Sequence, residues 1–132
     1  ALADADLGDL MRQLAQAVTG REGIPVTVTV QEPDELPPDV RVALYRIAQE
    51  ALNNVVKHAE ASAVQVSLRS PPGQEELYIT DDGRGVDPQS VPSDCLGLGF
   101  MHERAAAIGA RLEIESEPRH GTQISVVWEK ST

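Results

Sequence analysis

Cysteine is nearly missing from this sequence. Cys95 stands alone, so no intrachain disulfide and no cysteine-based zinc site can form. Histidine is scarce as well: His58, His102 and His120 are scattered and show no metal-ligand spacing. Aromatic residues make up 3% of the chain (Tyr45, Tyr78, Phe100 and Trp128), so the core must be aliphatic. Positive charge is in short supply, with 11 Lys and Arg against 21 Asp and Glu and a formal net charge of -10. A field of that sign works against non-specific binding to nucleic acid or to an anionic membrane. It leaves room for a nucleotide held in a local pocket. No apolar run approaches the ~20 residues of a membrane span. The acidic start ALADADLGDL is not a signal peptide. There is no internal repeat and no low-complexity tract. What is there is 132 residues, enough for one domain over 1–132 with a real core. The chain opens without Met and is expected to be a fragment of something longer.

Helical spacing of Leu7, Leu10, Met11, Leu14 and Val18 predicts a helix ended by Gly20 and Gly23. Ile24 to Val30 alternates and is β-branched, which predicts a strand. Pro37 and Pro38 are placed to enter a helix, and Asp39 to Ala59 carries the strongest apolar stripe in the chain. Ala63 to Arg69 is a strand, Pro71 to Gly73 a turn, and Leu77 to Thr80 a short strand. Asp81 to Cys95 is polar and aperiodic, at a length where loops are usually functional or mobile. A helix follows from Leu98 to Ile108. Strands at Arg111 to Glu117 and Thr122 to Glu129 are joined by a hairpin at Pro118 to Gly121. This order predicts an α/β fold: a two-layer sandwich, with a mixed sheet of about five strands and helices on one face.

On the long helix, Glu50, Asn54, Lys57 and His58 fall within one arc of about 100° at α-helical spacing. A carboxylate, an amide, an ammonium and an imidazole then face one way; most such clusters are simply a solvated face. Asn53 and Asn54 are poor mid-helix residues, which favours a role beyond helix stability. Asp81-Asp82-Gly83-Arg84-Gly85 follows a strand directly, and its glycines let the backbone turn tightly against a ligand. Gly97-Leu98-Gly99 opens a helix, where free N–H groups can meet phosphate. Each signal is weak alone. The chain has neither a dinucleotide fingerprint nor a GxxxxGK[ST] loop.

Taken in order, these elements resemble the ATP-binding catalytic domain of sensor histidine kinases, in particular the subfamily of the nitrate/nitrite sensors. LYRIAQEALNNVVKHA at 44–59 resembles the N box, DDGRG at 81–85 the first glycine box, and LGLGFMHERAAAIGA at 96–110 the second. IESEPRHGTQISVVW at 114–128 resembles the closing hairpin. The resemblance implies a Bergerat-type (GHKL) fold and Mg-ATP as ligand. It implies that Asn54 binds Mg²⁺, that Asp81 accepts from the adenine amino group, and that Gly83 and Gly85 pass under the base. Gly97 and Leu98 would lie near the phosphates with Lys57 and His58, and Thr122 near the adenine pocket. Glu50 would orient the site or the water shell of the metal. The lid, 86–96, has no Lys or Arg.

The resemblance further implies a cytoplasmic kinase domain that phosphorylates a histidine on upstream dimerisation helices, for relay to a response regulator. The fragment alone is expected to be monomeric and to bind no nucleic acid. None of its three histidines has the context of the acceptor, so it is not expected to phosphorylate itself. Two alternatives share the fold: a serine kinase of the anti-sigma type, and a non-catalytic nucleotide-sensing module.

Overall fold

The structure, a computed structural model, describes residues 5–31, 35–84 and 97–130, with the backbone alone at 58 and 59. Helix α1 spans Leu7–Glu22. The Asp6 carboxylate caps it by accepting from the Asp9 N–H at 3.1 Å. Gly20 lies inside this helix rather than ending it, and left-handed Gly23 makes the stop by donating to the Thr19 carbonyl. Strand β1 is Val26–Val30. Helix α2, Pro38–Asn54, opens on the expected proline. Its last turn, Val55–Ala59, is π-helical, so the single α-helix expected over 39–59 is not continuous. Glu60 closes it in the left-handed region.

Strand β2 is Val64–Arg69 and β3 is Gln74–Asp81, three residues earlier at its start than the pattern predicts. Helix α3 covers Leu98–Ala107, β4 Arg111–Glu117 and β5 Gly121–Glu129. The strands form one five-stranded sheet in the order β1-β2-β3-β5-β4. Only β1 and β2 run parallel; the other pairs are antiparallel, which makes the sheet mixed as expected.

Alternation sorts the two faces. Val64, Val66, Leu68, Leu77, Ile79, Ile124 and Val126 are buried and pack with Leu44, Ile47, Leu52 and Met101 of the helices. The same rows on the other face carry Gln65, Arg69, Thr80, Glu113 and Gln123, all exposed. The core is aliphatic, and the helices cover one face. Among the described residues, no helix is long and apolar enough to cross a membrane.

Two buried acids break the pattern, Asp81 at the end of β3 and Glu75 near its start. Glu75 is 0% exposed, on the core face of β3. The Ser70 hydroxyl lies 2.8 and 3.0 Å from its two oxygens. Burial pushes its carboxyl up to about 7, partly offset by that hydrogen bond.

Candidate functional site

Chain direction brings four segments to one end of the sandwich. The α2 C-terminus leads through Glu60–Ala63 into β2, and Val64 pairs with Asp81 at the end of β3. Asp81 pairs with Thr122 near the start of β5, and Thr122 with Ser116 near the end of β4. One rung of the sheet therefore reads Val64, Asp81, Thr122, Ser116, all on the helix-covered face.

The corner is tied by Asp82, not Asp81. The exposed Asp82 carboxylate accepts from the Ser62 N–H at 2.8 Å, the Ala63 N–H at 3.0 Å and the Ser62 hydroxyl. These bonds hold its carboxyl below the usual range, the Ser62 hydroxyl contributing most. They also fasten the segment leaving α2 to the end of β3.

Asp81, by contrast, is buried at 8% exposure. Its carboxylate accepts from the Gly83 N–H at 2.8 Å and from the Thr122 N–H. Burial raises its pKa above the ordinary value; the Gly83 bond opposes this most, the nearby Asp82 charge adds to it, and the Thr122 bond opposes it. A carboxylate fixed by two backbone donors keeps lone pairs in a defined direction for a further donor. Gly121, at φ 82°, lies so close that a Cβ there would collide with the Asp81 carbonyl oxygen. The Arg119 N–H donates to the Arg84 carbonyl, joining the hairpin tip to the chain after Gly83.

The second half of the site lies between α2 and α3. Gly97 precedes α3 in the left-handed region, at φ 64°. A Cβ there would collide with the Glu50 carboxylate, so Glu50 of α2 stands against the α3 N-terminus. Among the described residues no side chain caps that terminus, and Leu98 is half-buried in its first turn. Its first N–H groups have no partner within the helix. Asn54 is half-buried on the last α-helical turn.

Lys57 is exposed and lies in the π-helical turn, where i→i+5 bonding changes the rotation per residue. The α-helical spacing used to draw the arc of Glu50, Asn54, Lys57 and His58 holds from Glu50 to Asn54, and beyond Asn54 the turn is π-helical. The His58 side chain, Gly85 and the 86–96 lid lie outside the described residues. The loop expected to begin at Asp81 begins after it, since Asp81 is the last residue of β3.

Two contributors were not singled out in the sequence. Asp82 was visible only as part of a turn, because a long-range clamp to Ser62 has no local signature. Ser116 was hidden by register. A four-residue hairpin at 118–121 would set Glu117 opposite Thr122. The loop is three residues, 118–120, with Arg119 at φ 71°, so Glu117 pairs with Gly121 and Ser116 with Thr122.

The described residues contain no group of three His, Cys, Asp or Glu able to hold a metal. A divalent cation here would depend on an amide oxygen such as that of Asn54, together with oxygens brought by its ligand. Mg²⁺ fits that donor set, because it is commonly held by few protein oxygens together with substrate phosphates.

Comparison with known proteins agrees with the fold. The nitrate/nitrite sensor protein NarQ of Escherichia coli is 32% identical over 127 residues, covering 95% of this chain and 22% of NarQ. The curated relatives matched are several times longer; the chain spans 17% to 36% of their length. The ATP binding domain of PrrB from Mycobacterium tuberculosis superposes with a TM-score of 0.68 at 26% identity, covering 97% of this chain and 96% of that one. The histidine kinase domain of a blue-light activated kinase from Erythrobacter litoralis has the same fold. Its TM-score is 0.77 at 23% identity, over 98% of this chain and 64% of that one. Residues 39–132 match the family described as histidine kinase-, DNA gyrase B-, and HSP90-like ATPase, and the chain belongs to that family.

Proposed function

We propose that the chain is the cytoplasmic, Mg-ATP-binding catalytic domain, over 1–132, of a sensor histidine kinase. It donates the γ-phosphate to a histidine on the dimerisation helices of the full-length protein, for relay to a response regulator. The observation that carries this is Asp81, a buried acceptor fixed by two backbone N–H donors at the end of β3. It stands within a chain of the ATPase family.

In this reading Asp81 accepts from the adenine amino group. Guanine would place a carbonyl there, and two acceptors would face each other. Gly83 and Gly85 let the backbone pass beneath the base, and Thr122 borders it. Gly97, Leu98 and the first N–H groups of α3 face the phosphates. Lys57 and His58 are the nearest candidates for side-chain contacts to phosphate. The amide oxygen of Asn54 holds Mg²⁺, which neutralises triphosphate charge when bound. Glu50, standing against Gly97, orients the α3 terminus and the water around the metal. Catalysis by these groups is positioning and charge stabilisation.

The acceptor histidine comes from outside the chain. Transfer needs a nucleophile about 3–3.5 Å from phosphorus and in line. His102 lies on α3 and His120 on the β4–β5 hairpin, both built into the fold. His58 lies in the α2 terminus, one turn from Asn54. The net charge of -10 supports a partner other than nucleic acid, and the fragment is proposed to be a monomer.

Incubation with γ-labelled ATP tests this reading. The chain alone is expected to acquire no acid-labile label, and added dimerisation helices from the full-length protein are expected to acquire it. Stoichiometric phosphohistidine on the chain alone would contradict the reading. Label on serine of a partner would favour the anti-sigma-type alternative, and ATP binding without transfer to any helix the nucleotide-sensing one.

A further inference from the structure

Asp81 and Asp82 are neighbours in the chain with separate partners. Asp81 is fixed by the Gly83 and Thr122 N–H groups. Asp82 instead holds the segment that leaves α2. Its Oδ1 accepts from the Ser62 N–H at 2.8 Å and the Ala63 N–H at 3.0 Å, and its Oδ2 from the Ser62 hydroxyl. We propose that Asp82 is a positioning residue for the metal and phosphate half of the site, acting through this clamp on the end of α2 that leads from Asn54 through Lys57. The proposal rests on the reading that Asn54 and Lys57 face the metal and the phosphates.

The backbone between Asn54 and Ser62 shows what the clamp holds. Val55–Ala59 is π-helical, a rare conformation that recurs at functional sites. Glu60 follows at φ 52°, a left-handed conformation that disfavours a residue with a Cβ. Neither is what the chain adopts by preference, so both persist only where the surroundings over-determine them. Upstream, buried Val55 packs into the core. Downstream, strand pairing begins only at Val64, and Asp82 holds the two residues before it. The backbone ties this corner weakly, since the Asp82 N–H donates to the Ala63 carbonyl over a long 3.4 Å. With the clamp released, Glu60 is free to leave the left-handed region and the π turn to revert to i→i+4 bonding. That change in rotation per residue would swing Lys57 about the helix axis and loosen the turn that follows Asn54. The base half would stay, because Asp81 keeps its own two donors and its place opposite Thr122. Asp82 thus fixes the offset between the two halves of the site without touching the ligand.

The test is calorimetry with Mg-ATP and with adenosine, which has the base and no phosphate. The unmodified chain is expected to bind Mg-ATP more tightly. Asp82→Ala is expected to weaken Mg-ATP about tenfold, an ordinary coupling within one hydrogen-bond network, and to leave adenosine unchanged. Asp82→Asn loses the same charge but keeps the clamp: its amide oxygen can accept from both N–H groups, and its amide nitrogen can donate to the Ser62 hydroxyl oxygen. It is expected to restore Mg-ATP affinity, which separates the clamp from the charge. Ser62→Ala removes one of the three donors. It is expected to give the same pattern at smaller size and to add nothing in an Asp82→Ala background. Should Asp82→Ala fold poorly, Ser62→Ala alone gives the readout. An equal loss for Mg-ATP and adenosine, or an Asp82→Asn chain as weak as Asp82→Ala, would overturn the role of Asp82 alone. So would a Ser62→Ala effect that persists with Asp82→Ala. An unmodified chain that binds Mg-ATP no more tightly than adenosine would overturn the reading of Asn54 and Lys57 and this proposal together.

Discussion

Strand β3 carries two buried carboxyls on the same face, six residues apart, and they are treated differently. Asp81 sits at the site end and accepts from two backbone N–H groups. Glu75 sits at the far end, fully buried, with the Ser70 hydroxyl as its recorded hydrogen-bond partner. Backbone donors belong to the fold and cannot rotate away, so Asp81 is held as an aimed acceptor. A serine hydroxyl can donate or accept, so it can serve a protonated Glu75 as well as an ionised one. The lesson is that burial does not make a carboxyl functional; the donors around it decide whether it is kept charged and oriented.

The largest effect should come from crowding the aimed end. Gly121→Ala would put a Cβ against the Asp81 carbonyl and force alanine to φ 82°. A loss of about 3 kcal/mol or more in urea unfolding is expected, the sum of left-handed strain and backbone displacement. A loss under about 1 kcal/mol would mean that the hairpin start is not tightly seated on β3.

Next in size is the contribution of Glu75. Its folded pKa of about 7 lies above the ordinary 4.5, so the neutral form is favoured in the native state. Its contribution is complete below pH 4.5, is lost as pH rises to about 7, and is flat above. Across that window, about 2–3 kcal/mol of stability should disappear. Glu75→Gln, neutral at all pH and able to bond Ser70, should flatten this slope and be the more stable form at pH about 8. A slope unchanged by the substitution would remove Glu75 as its cause.

Asp82 supplies the opposite slope. Its pKa is lowered by the bonds from Ser62 and Ala63, so its contribution is present above the ordinary 3.8 and lost as pH falls through the lowered value. Asp82→Ala should lower the unfolding midpoint near neutrality by less than Gly121→Ala does. It should also speed amide exchange at Ser62 and Ala63, which lose their acceptor. Unchanged exchange there would show that the clamp does not hold the corner.

Much of this was legible in the sequence. The alternation of Val26–Val30, Val64–Arg69 and β4, and the stripe of α2, placed the layers because one face of each is apolar. The start of β3 was missed because Gln74-Glu75-Glu76 puts a carboxylate at a core position, and hydrophobic alternation cannot see a buried acid. The π-helical turn was missed because Val55 and Val56 continue the α-helical pattern while the backbone changes its hydrogen bonding. Asp81, Gly97 and Thr122 could be singled out from their order along the chain. Ser116 depended on whether the hairpin loop held three residues or four, a difference that turns a strand's side chains over.

The central claim is that the end of β3 recognises adenine through the fixed carboxylate of Asp81. Calorimetric titration of the chain with ATP and with GTP, each with Mg²⁺, tests it most directly when repeated on Asp81→Asn. An asparagine can turn its amide donor towards the amino donor of the base. ATP affinity should then fall about 10- to 100-fold, the range for a lost hydrogen bond to a charged group, and the preference over GTP should vanish. Equal affinity for the two nucleotides in the unmodified chain, or an undiminished preference in Asp81→Asn, would contradict the account.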